Sequence, residues 1–339
     1  MRSPALDRLP APPPNKIGWP WTQNSELLPD LMPNGRPWPQ ISIVTPNYNY
    51  GKFLAETIRS VLLQGYPNLE YLVIDGGSSD ESLAVIAEYQ PWLSYSCSER
   101  DRGQSHAINK GLTRATGAIL AWLNSDDLYL PNALANVAMA FAQHPDVALI
   151  YGKCRTLTGD RVLGDDMWRF SPFVLPQMLV ENQIPQASAF WTATSFQQAG
   201  PLREDLHFVM DYDLFLKIAC TAKIAFVPEH WSAFRSHDAQ KSHDDNLLKV
   251  VAERRAVYRR LWQAPYFPKA RLKQAWRQAM ALQFRTSGSV WLQRGHWVKA
   301  IGHYLRSLVY HPGKLGDLRA VSGWFHRIVG NGDAKGGPQ

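Results

Sequence analysis

The fold is decided by the stretch AILAWLNSDD, residues 118–127. Its first six residues are apolar and its last four are polar, which is typical of a buried strand that ends at the edge of a sheet. Adjacent carboxylates at such a point suit Mg²⁺ or Mn²⁺, because both ions prefer oxygen ligands. The same polar residues also favour a turn, so this stretch taken alone leaves a metal site and a plain turn equally open.

Similar apolar runs lie on both sides of this stretch and alternate with helical patterns. The predicted strands are residues 41–45, 69–74, 92–97, 118–123, 147–151, 190–192 and 224–227. Helices are predicted over 51–63, from Asp80, over 104–115, from Pro131 and over 211–220. This alternation predicts an α/β fold with a doubly wound, mainly parallel sheet flanked by helices.

Polar clusters follow three of the predicted strands, at residues 45–49, 75–80 and 124–127. In open α/β sheets ligands bind beyond the carboxyl ends of the strands, so these clusters predict the position of the site. The cluster after the second strand also has a purely structural interpretation, a glycine turn in which Asp80 caps the next helix. It does not match GxGxxG, which argues against a dinucleotide-binding oxidoreductase.

The chain divides by composition into three regions. Residues 1–40 are rich in Pro and Trp and are expected to form an extended arm, residues 41–243 the α/β domain, and residues 244–339 a basic, mainly helical region. Within the last region, residues 290–310 are expected to form a helical hairpin that turns at Gly295.

Charge is distributed unevenly along the 339 residues, whose formal net charge is +7. Residues 251–339 hold 16 Lys and Arg against 3 Asp and Glu, whereas residues 1–250 hold 20 against 26. A basic region of this kind suits an anionic surface such as phosphates or a membrane leaflet, and solvated basic helix faces are the equally open alternative.

Cysteine content and hydropathy bear on location. The three cysteines show no CxxC spacing, and a reducing cytosol fits them best. Neither a signal peptide nor an apolar run of about 18 residues is visible, so we expect a cytoplasmic protein, peripheral at most on the inner face of the cell membrane. No nucleic-acid-binding module is recognisable.

Three further residues offer titratable groups. Asp211 and Asp213 stand near a helix start, where one could act as a general base or simply cap the helix. His237 follows a strand and could contact a metal or a phosphate, although a lone histidine is more often structural.

Read together and in order, these motifs resemble family 2 glycosyltransferases from about residue 40 to about residue 243. They are TPNYN at 45–49, DGGSSD at 75–80, ERDRGQ at 99–104, NKG at 109–111, NSDD at 124–127, MDYD at 210–213 and RSH at 235–237. Each motif is weak alone, but the ordered set is highly specific.

The resemblance implies a GT-A fold and a reaction that inverts the anomeric carbon of a sugar. It implies a nucleotide-sugar donor, most simply a UDP-sugar, a saccharide or lipid-linked saccharide acceptor, and a divalent Mg or Mn ion. Thr45, Asn47, Tyr48, Asp75, Asp101, Lys110, Asn124 and Asp126 are the implied donor-binding residues. Asp126, Asp127 and His237 are the implied metal contacts, and Asp211 is the implied catalytic base.

Two positions depart from the family pattern. Asn124 stands where many relatives carry the first Asp of a DxD triplet, so one negative charge is lost. Met210 replaces a frequent Glu before the base, which leaves Asp213 as a rival for that role. The remaining alternatives are a non-catalytic nucleotide-sugar binder on the same fold and a nucleotidyltransferase. A nucleotidyltransferase would be expected to carry a Gly-rich, basic phosphate loop near the N-terminus.

Overall fold

The structure, a computed structural model, describes residues 1–159, 161–162, 170–237 and 246–312. The chain separates into two compact units. Unit 1 comprises Met1–Leu175 and Asn182–Gln240, and unit 2 comprises Pro176–Glu181 and Lys241–Gln339.

A single mixed sheet forms the centre of unit 1. Within the described residues its strands are β1 Ile41–Asn47, β2 Leu69–Asp75, β3 Tyr95–Ser98, β4 Ile119–Trp122, β5 Leu128–Tyr129, β6 Val147–Thr158, β7 Arg161–Val162, β8 Ala189–Thr192 and β9 Lys223–Ser236. Their order is β3-β2-β1-β4-β8-β6-β9-β5, with β7 paired to β6. The sheet is parallel from β3 to β4, and β8 then joins β4 and β6 through antiparallel pairing.

Within the described residues, the helices of unit 1 are α1 Gly51–Leu62, α2 Ser82–Tyr89, α3 Gln104–Arg114, α4 Ala133–Gln143, α6 Ala193–Ala199 and α7 Met210–Thr221. The helices α8 Leu247–Gln263, α9 Lys269–Gln293 and α10 Trp297–Tyr310 belong to unit 2, as does α5 Leu175–Val180 except for its first residue. All seven residues of β1 are buried, as expected for a central strand covered by helices on both faces.

Parallel pairing brings the polar clusters together. Asn47 at the end of β1 pairs with Asp75 at the end of β2, which in turn pairs with Ser98 at the end of β3. Because β4 also runs parallel to β1, the NSDD cluster after β4 lies at the same edge of the sheet.

Within unit 1, the first forty residues contact the fully buried side chain of Arg59 in α1. Its guanidinium donates hydrogen bonds to the carbonyl oxygens of Pro10, Pro20 and Trp21 at 2.8 to 2.9 Å. Proline has no backbone N–H, so a proline-rich segment forms few regular backbone hydrogen bonds, and the Arg59 guanidinium supplies donors to its carbonyl oxygens instead.

Unit 2 contains a close helical hairpin made by α9 and α10. Gly295 turns the chain with a φ of 77°, a conformation that glycine adopts without strain. Small residues let the helices approach, since a Cβ at Gly288 would lie 3.0 Å from the ring of Tyr304. Ser307 donates a hydrogen bond across the pair to the Ala281 carbonyl at 3.0 Å.

Among the described residues, no helix combines the length and the apolar character needed to cross a membrane.

Candidate active site

The turn after β2 is organised by the carboxylate of Asp75. Its oxygens accept hydrogen bonds from the Asn47 amide at 2.8 Å, from the Ser78 backbone N–H at 2.9 Å and from the Ser98 hydroxyl at 2.6 Å. The backbone N–H of Gly77 donates to the same group at 3.1 Å. Burial acts to raise the pKa of Asp75, but these hydrogen bonds together lower it below the ordinary value.

Asp75 was expected to contact the nucleotide base, and the structure gives its side chain a different role. The residue is 0% exposed, and its two oxygens are saturated by donors from the ends of β1, β2 and β3. The carboxylate therefore ties the ends of β1 and β3 to the turn after β2, and its contact with a base remains a prediction.

Asp80 caps a helix, as the structural interpretation of this turn predicted, and it serves a second helix as well. One carboxylate oxygen accepts from the Ser82 backbone N–H at 3.0 Å, at the start of α2, and the other accepts from the Gly51 backbone N–H at 2.8 Å, at the start of α1. Both N–H groups are otherwise orphan donors of a first helical turn.

The three residues expected from the end of β1 differ in their access to a ligand. Thr45 is fully buried and its hydroxyl lies 3.0 Å from the Tyr71 hydroxyl, so it belongs to the core. Asn47 is 3% exposed, and within the described residues its buried Oδ1 atom has no hydrogen-bond partner. Tyr48 is 61% exposed and presents its ring at the edge.

Asp101 and Lys110 form an ion pair beside the same turn. Lys110 Nζ lies 2.6 Å from Asp101 Oδ1, which also lies 2.8 Å from Nδ1 of His106. The other oxygen, Oδ2, is buried and makes no hydrogen bond to any residue in the described ranges. A Cβ built on Gly76 would lie 3.2 Å from this oxygen and 3.3 Å from the Tyr48 ring, so the side chains of Tyr48 and Asp101 meet beside Gly76.

Asn124 lies in a network of amides after β4. Its Oδ1 accepts from Gln104 at 2.9 Å, and its NH₂ group donates to Gln186 at 3.2 Å and to Asp127 at 3.3 Å. Gln186 in turn donates to the Trp122 carbonyl at 2.8 Å. The neutral side chain at this family position thus ties the turn to α3 and to the segment before β8.

Asp126 meets His237 across 111 positions of sequence. His237 Nε2 lies 3.0 Å from Asp126 Oδ2, and the two side chains are 14% and 16% exposed. The imidazole is held against the rings of Tyr50 and Phe53, whose centroids lie 5.6 and 5.1 Å away. A carboxylate and an imidazole are therefore fixed side by side at the carboxyl edge.

Asp127 was expected to assist a metal, and the structure places it in the scaffold. It is 1% exposed, and one oxygen accepts from the backbone N–H of Arg235 at 3.0 Å while the other accepts from Asn124. Burial, and then the nearby charge of Asp126, raise the pKa of Asp127 well above its ordinary value. A carboxyl group so enclosed holds the NSDD turn against β9.

Arg235 and Glu56 form a buried ion pair that the sequence did not reveal. Arg235 Nη2 lies 2.8 Å from Glu56, with side-chain exposures of 3% and 10%. The same guanidinium donates to the carbonyls of Asp126 at 2.9 Å and Gly159 at 2.7 Å. The one sequence signal for this role is the position of Arg235 two residues before His237 in the RSH motif.

The first turn of α7 carries both candidates for the base. Phe215 of α7 stacks on Trp122, the last residue of β4, with ring centroids 6.3 Å apart. Asp211 lies one helical turn before Phe215 and is partly exposed. Asp213 is 5% exposed and its Oδ2 lies 2.8 Å from Lys217 Nζ, so it is committed to an ion pair within the helix.

The described residues could supply only some of the ligands that a divalent cation needs. Over the described ranges 1–159, 161–162, 170–237 and 246–312, no group of three or more His, Cys, Asp or Glu is placed to hold a metal ion. Asp126 and His237 would supply two ligands. Magnesium commonly takes one or two carboxylates and completes its shell with water and substrate phosphates, so a two-residue protein site is adequate when a diphosphate is present.

Comparison with solved structures defines the class. TarS of S. aureus superposes with a TM-score of 0.60 at 18% identity, covering 79% of this chain and 80% of that one. The mannosyltransferase PcManGT of Pyrobaculum calidifontis, solved with GDP-Man and Mn²⁺, gives 0.55 at 17% identity, covering 86% and 81%. The fold is that of GT-A glycosyltransferases, which confirms the predicted fold class.

Sequence comparison then gives the family. The model of glycosyl transferase family 2 matches residues 42–196. An uncharacterized glycosyltransferase of Mycobacterium tuberculosis is 30% identical over 185 residues, or 53% of this chain and 69% of that protein. An uncharacterized glycosyltransferase of Rickettsia prowazekii is 26% identical over 302 residues, or 86% and 89%. The chain belongs to glycosyl transferase family 2, as its motifs predicted.

Proposed function

We propose that this glycosyltransferase moves a sugar from a UDP-sugar to an acceptor hydroxyl with inversion at the anomeric carbon. The observation that carries the proposal is the Asp126–His237 pair, at 3.0 Å, on the sheet edge where the polar ends of β1, β2 and β3 also meet. A carboxylate and an imidazole at that edge are suited to hold a divalent cation that would bind the diphosphate end of a donor, and the groups around Gly76 are suited to its nucleoside end.

The nucleoside end is proposed to lie among Tyr48, Gly76 and Asp101. Two buried acceptors near this space, Asn47 Oδ1 and Asp101 Oδ2, find no donor in the described chain. Buried polar atoms are nearly always hydrogen-bonded, so the N–H and O–H groups of a base and ribose are suitable partners. Structural neighbours support a nucleotide donor, since TarS was also solved with UDP-GlcNAc.

Lys110 and His106 are proposed to hold Asp101 for this contact. Both lie on the same oxygen of Asp101, at 2.6 and 2.8 Å, which leaves the opposite oxygen directed at the space beside Gly76. The carboxylate is thus oriented before the donor arrives, which lowers the cost of binding.

The diphosphate end is proposed to lie at Asp126 and His237, which would share an Mg²⁺ or Mn²⁺ ion with it. When bound, such an ion neutralises the charge that develops on the departing nucleoside diphosphate. Asp127 and Arg235 act behind this pair, by fixing the backbone of the turn that carries Asp126.

Asp211 is proposed as the general base that takes the proton from the attacking acceptor hydroxyl. It is partly exposed on the first turn of α7, whereas Asp213 is buried and paired with Lys217. The acceptor oxygen then bonds to the anomeric carbon as the bond to the diphosphate breaks, and no covalent enzyme intermediate is required. The proposed acceptor is a saccharide or a lipid-linked saccharide in envelope polysaccharide or glycolipid assembly.

A donor screen tests the reaction. The protein is incubated with UDP-, GDP- and dTDP-sugars and Mg²⁺ or Mn²⁺, and nucleotide release is measured with and without chelator. We expect chelator-sensitive release of UDP from one donor, and loss of that release in Asp126→Ala. If the protein binds a donor but releases no nucleotide with any acceptor added, a non-catalytic binder is favoured. Release of pyrophosphate from a nucleoside triphosphate would favour a nucleotidyltransferase.

A further inference from the structure

Unit 2 has an excess of positive charge that the glycosyl-transfer site does not use. Residues 246–312 contain 13 Lys and Arg and one acidic residue, Glu253. Such a surface attracts anions and repels a second copy of itself.

The outer face of α10 is apolar where a packed helix is normally polar. Val298, Leu305 and Val309 are 64%, 54% and 72% exposed, and their spacing of seven and four residues puts them on one stripe. The inward face carries small or polar-tipped residues instead, namely Ala300, Tyr304 and Ser307. Three of the five large aliphatic side chains of α10 are therefore exposed, whereas Ile301 and Leu308 are partly buried, so the apolar surface of this helix extends well beyond its packed face.

The stripe is bordered by groups suited to a boundary between water and hydrocarbon. Trp297, at the start of α10, is 50% exposed. Lys299 lies beside the stripe with its Nζ 4.3 Å from the ring centre of Trp291, and Arg306 is exposed on the same side. Long cationic side chains and tryptophan are typical of helices that lie in a membrane interface.

A cationic cavity opens at the C-terminal end of this stripe. Its volume is about 430 Å³, and it is lined by Arg271, Lys273 and Arg277 of α9 and by Tyr310 and His311 at the end of α10. Arg277 donates hydrogen bonds to the carbonyls of Tyr310 at 2.9 Å and Val309 at 3.2 Å, so the cavity adjoins the last residue of the stripe.

We infer that this face of unit 2, the stripe of Val298, Leu305 and Val309 with the Arg271–Lys273–Arg277 cavity, binds the surface of an anionic phospholipid bilayer. The stripe enters the headgroup region, and the cavity takes a lipid phosphate. A nucleic acid would satisfy the cations but leave the aliphatic stripe in water. A second copy would cover the stripe but bring two strongly positive surfaces together.

Co-sedimentation of the full chain with vesicles tests the inference. The vesicles are phosphatidylcholine alone or phosphatidylcholine with phosphatidylglycerol, each at low and at high salt. We expect binding to the anionic vesicles that weakens with salt. Leu305→Glu with Val309→Glu is expected to lower the affinity roughly 10-fold or more for each side chain, because the apolar transfer is lost. Arg271→Ser with Lys273→Ser is expected to lower it about 5-fold for each charge.

Matched control variants distinguish binding through this face from non-specific binding of the protein to vesicles. Leu27 is 53% exposed and lies in unit 1, so Leu27→Glu should leave vesicle binding unchanged. Arg8→Ser with Arg36→Ser removes two exposed cations from the same unit and should have little effect. All the substituted positions except the controls lie in unit 2, and circular dichroism checks that each variant folds.

Three outcomes overturn the inference. The first is equal partition with neutral and anionic vesicles. The second is a wild-type dimer that becomes monomeric in Leu305→Glu, which would make a second copy the occupant of the stripe. The third is binding of inorganic phosphate at Arg271 and Lys273 without any vesicle binding. Each readout is independent of sugar transfer, so failure here leaves the proposed reaction untouched.

Discussion

Replacing Arg235 with Met removes one partner of a buried ion pair and leaves the other in place. The remaining carboxylate of Glu56 belongs to a side chain only 10% exposed, and the guanidinium it loses is 3% exposed and 2.8 Å away. Deleting one member of such a pair costs about 3 to 5 kcal/mol of unfolding free energy, because an uncompensated charge stays buried. The backbone carbonyls of Asp126 and Gly159 lose their donor in the same variant.

Urea unfolding followed by tryptophan fluorescence measures this loss, and a second ion pair provides the control. Arg102 and Glu204 lie at the same 2.8 Å, but their side chains are 69% and 35% exposed. Glu204→Gln should therefore change the urea midpoint little. Adding Glu56→Gln to Arg235→Met removes both buried charges and should restore part of the stability, so the two losses will not add. Equal, small losses in Arg235→Met and Glu204→Gln would refute the reasoning from burial.

Four further predictions concern single side chains. Asp211→Asn should lower turnover about 10²- to 10⁴-fold with donor binding retained, whereas Asp213→Asn should chiefly lower the free energy of unfolding. Steady-state kinetics measures the first effect and urea denaturation the second. The reverse result would make Asp213 the base and Asp211 the structural residue. The pKa of Asp75 in the folded protein lies below its ordinary value of 3.8, so the ionised carboxylate stabilises the fold fully above pH 3.8 and loses this effect as pH falls through the folded pKa. The difference in unfolding free energy between wild type and Asp75→Asn should therefore become smaller in acid. A difference that does not change with pH would contradict the hydrogen-bonded, ionised state of Asp75. Gly76→Ala should raise the KM for the donor with the fold unchanged, because the new Cβ would lie 3.2 Å from the Asp101 carboxylate oxygen, where the nucleoside is proposed to bind. An unchanged KM would mean that the nucleoside binds elsewhere. Arg59→Met should expose the first forty residues to limited proteolysis, because three buried carbonyls lose their donor; an unchanged cleavage pattern would show that other contacts hold the arm.

Much of the fold was predictable from the sequence, because its first half consists of short apolar runs that end in turn residues. The predicted strands at 41–45 and 69–74 correspond to β1 and β2, and the helix at 51–63 corresponds to α1. The antiparallel part of the sheet was not predictable, since its pairing joins strands distant in sequence. The strand β9 was predicted over four residues and spans Lys223–Ser236, because the polar segment in its middle hides the pattern.

The candidate site was predictable in location but not in the direction of its side chains. Strand ends indicate one edge of the sheet, and the structure brings Asp75, Asp126 and Asp127 to that edge, as the order of the motifs predicts. Which carboxylate faces the cleft depends on partners supplied by other strands. Asp127 turns inward because Arg235, 108 positions away, offers its backbone N–H, and a motif read along the chain does not contain that information. The catalytic, donor and metal roles of these residues remain predictions.

The double cap formed by Asp80 has a mechanical consequence. One carboxylate anchors α1 to the turn that borders the proposed nucleoside space, and Phe53, two residues into α1, supports the ring of His237 at the other end of the cleft. The first turn of α1 thus links the turn after β2 to the ring of His237, which are the two places where we propose that the ends of the donor bind. A shift of α1 would change the spacing between these two places, so we expect the site to select donors by length. Gly76→Ala and Phe53→Leu should accordingly show non-additive losses in donor affinity, although they lie at opposite ends of the cleft.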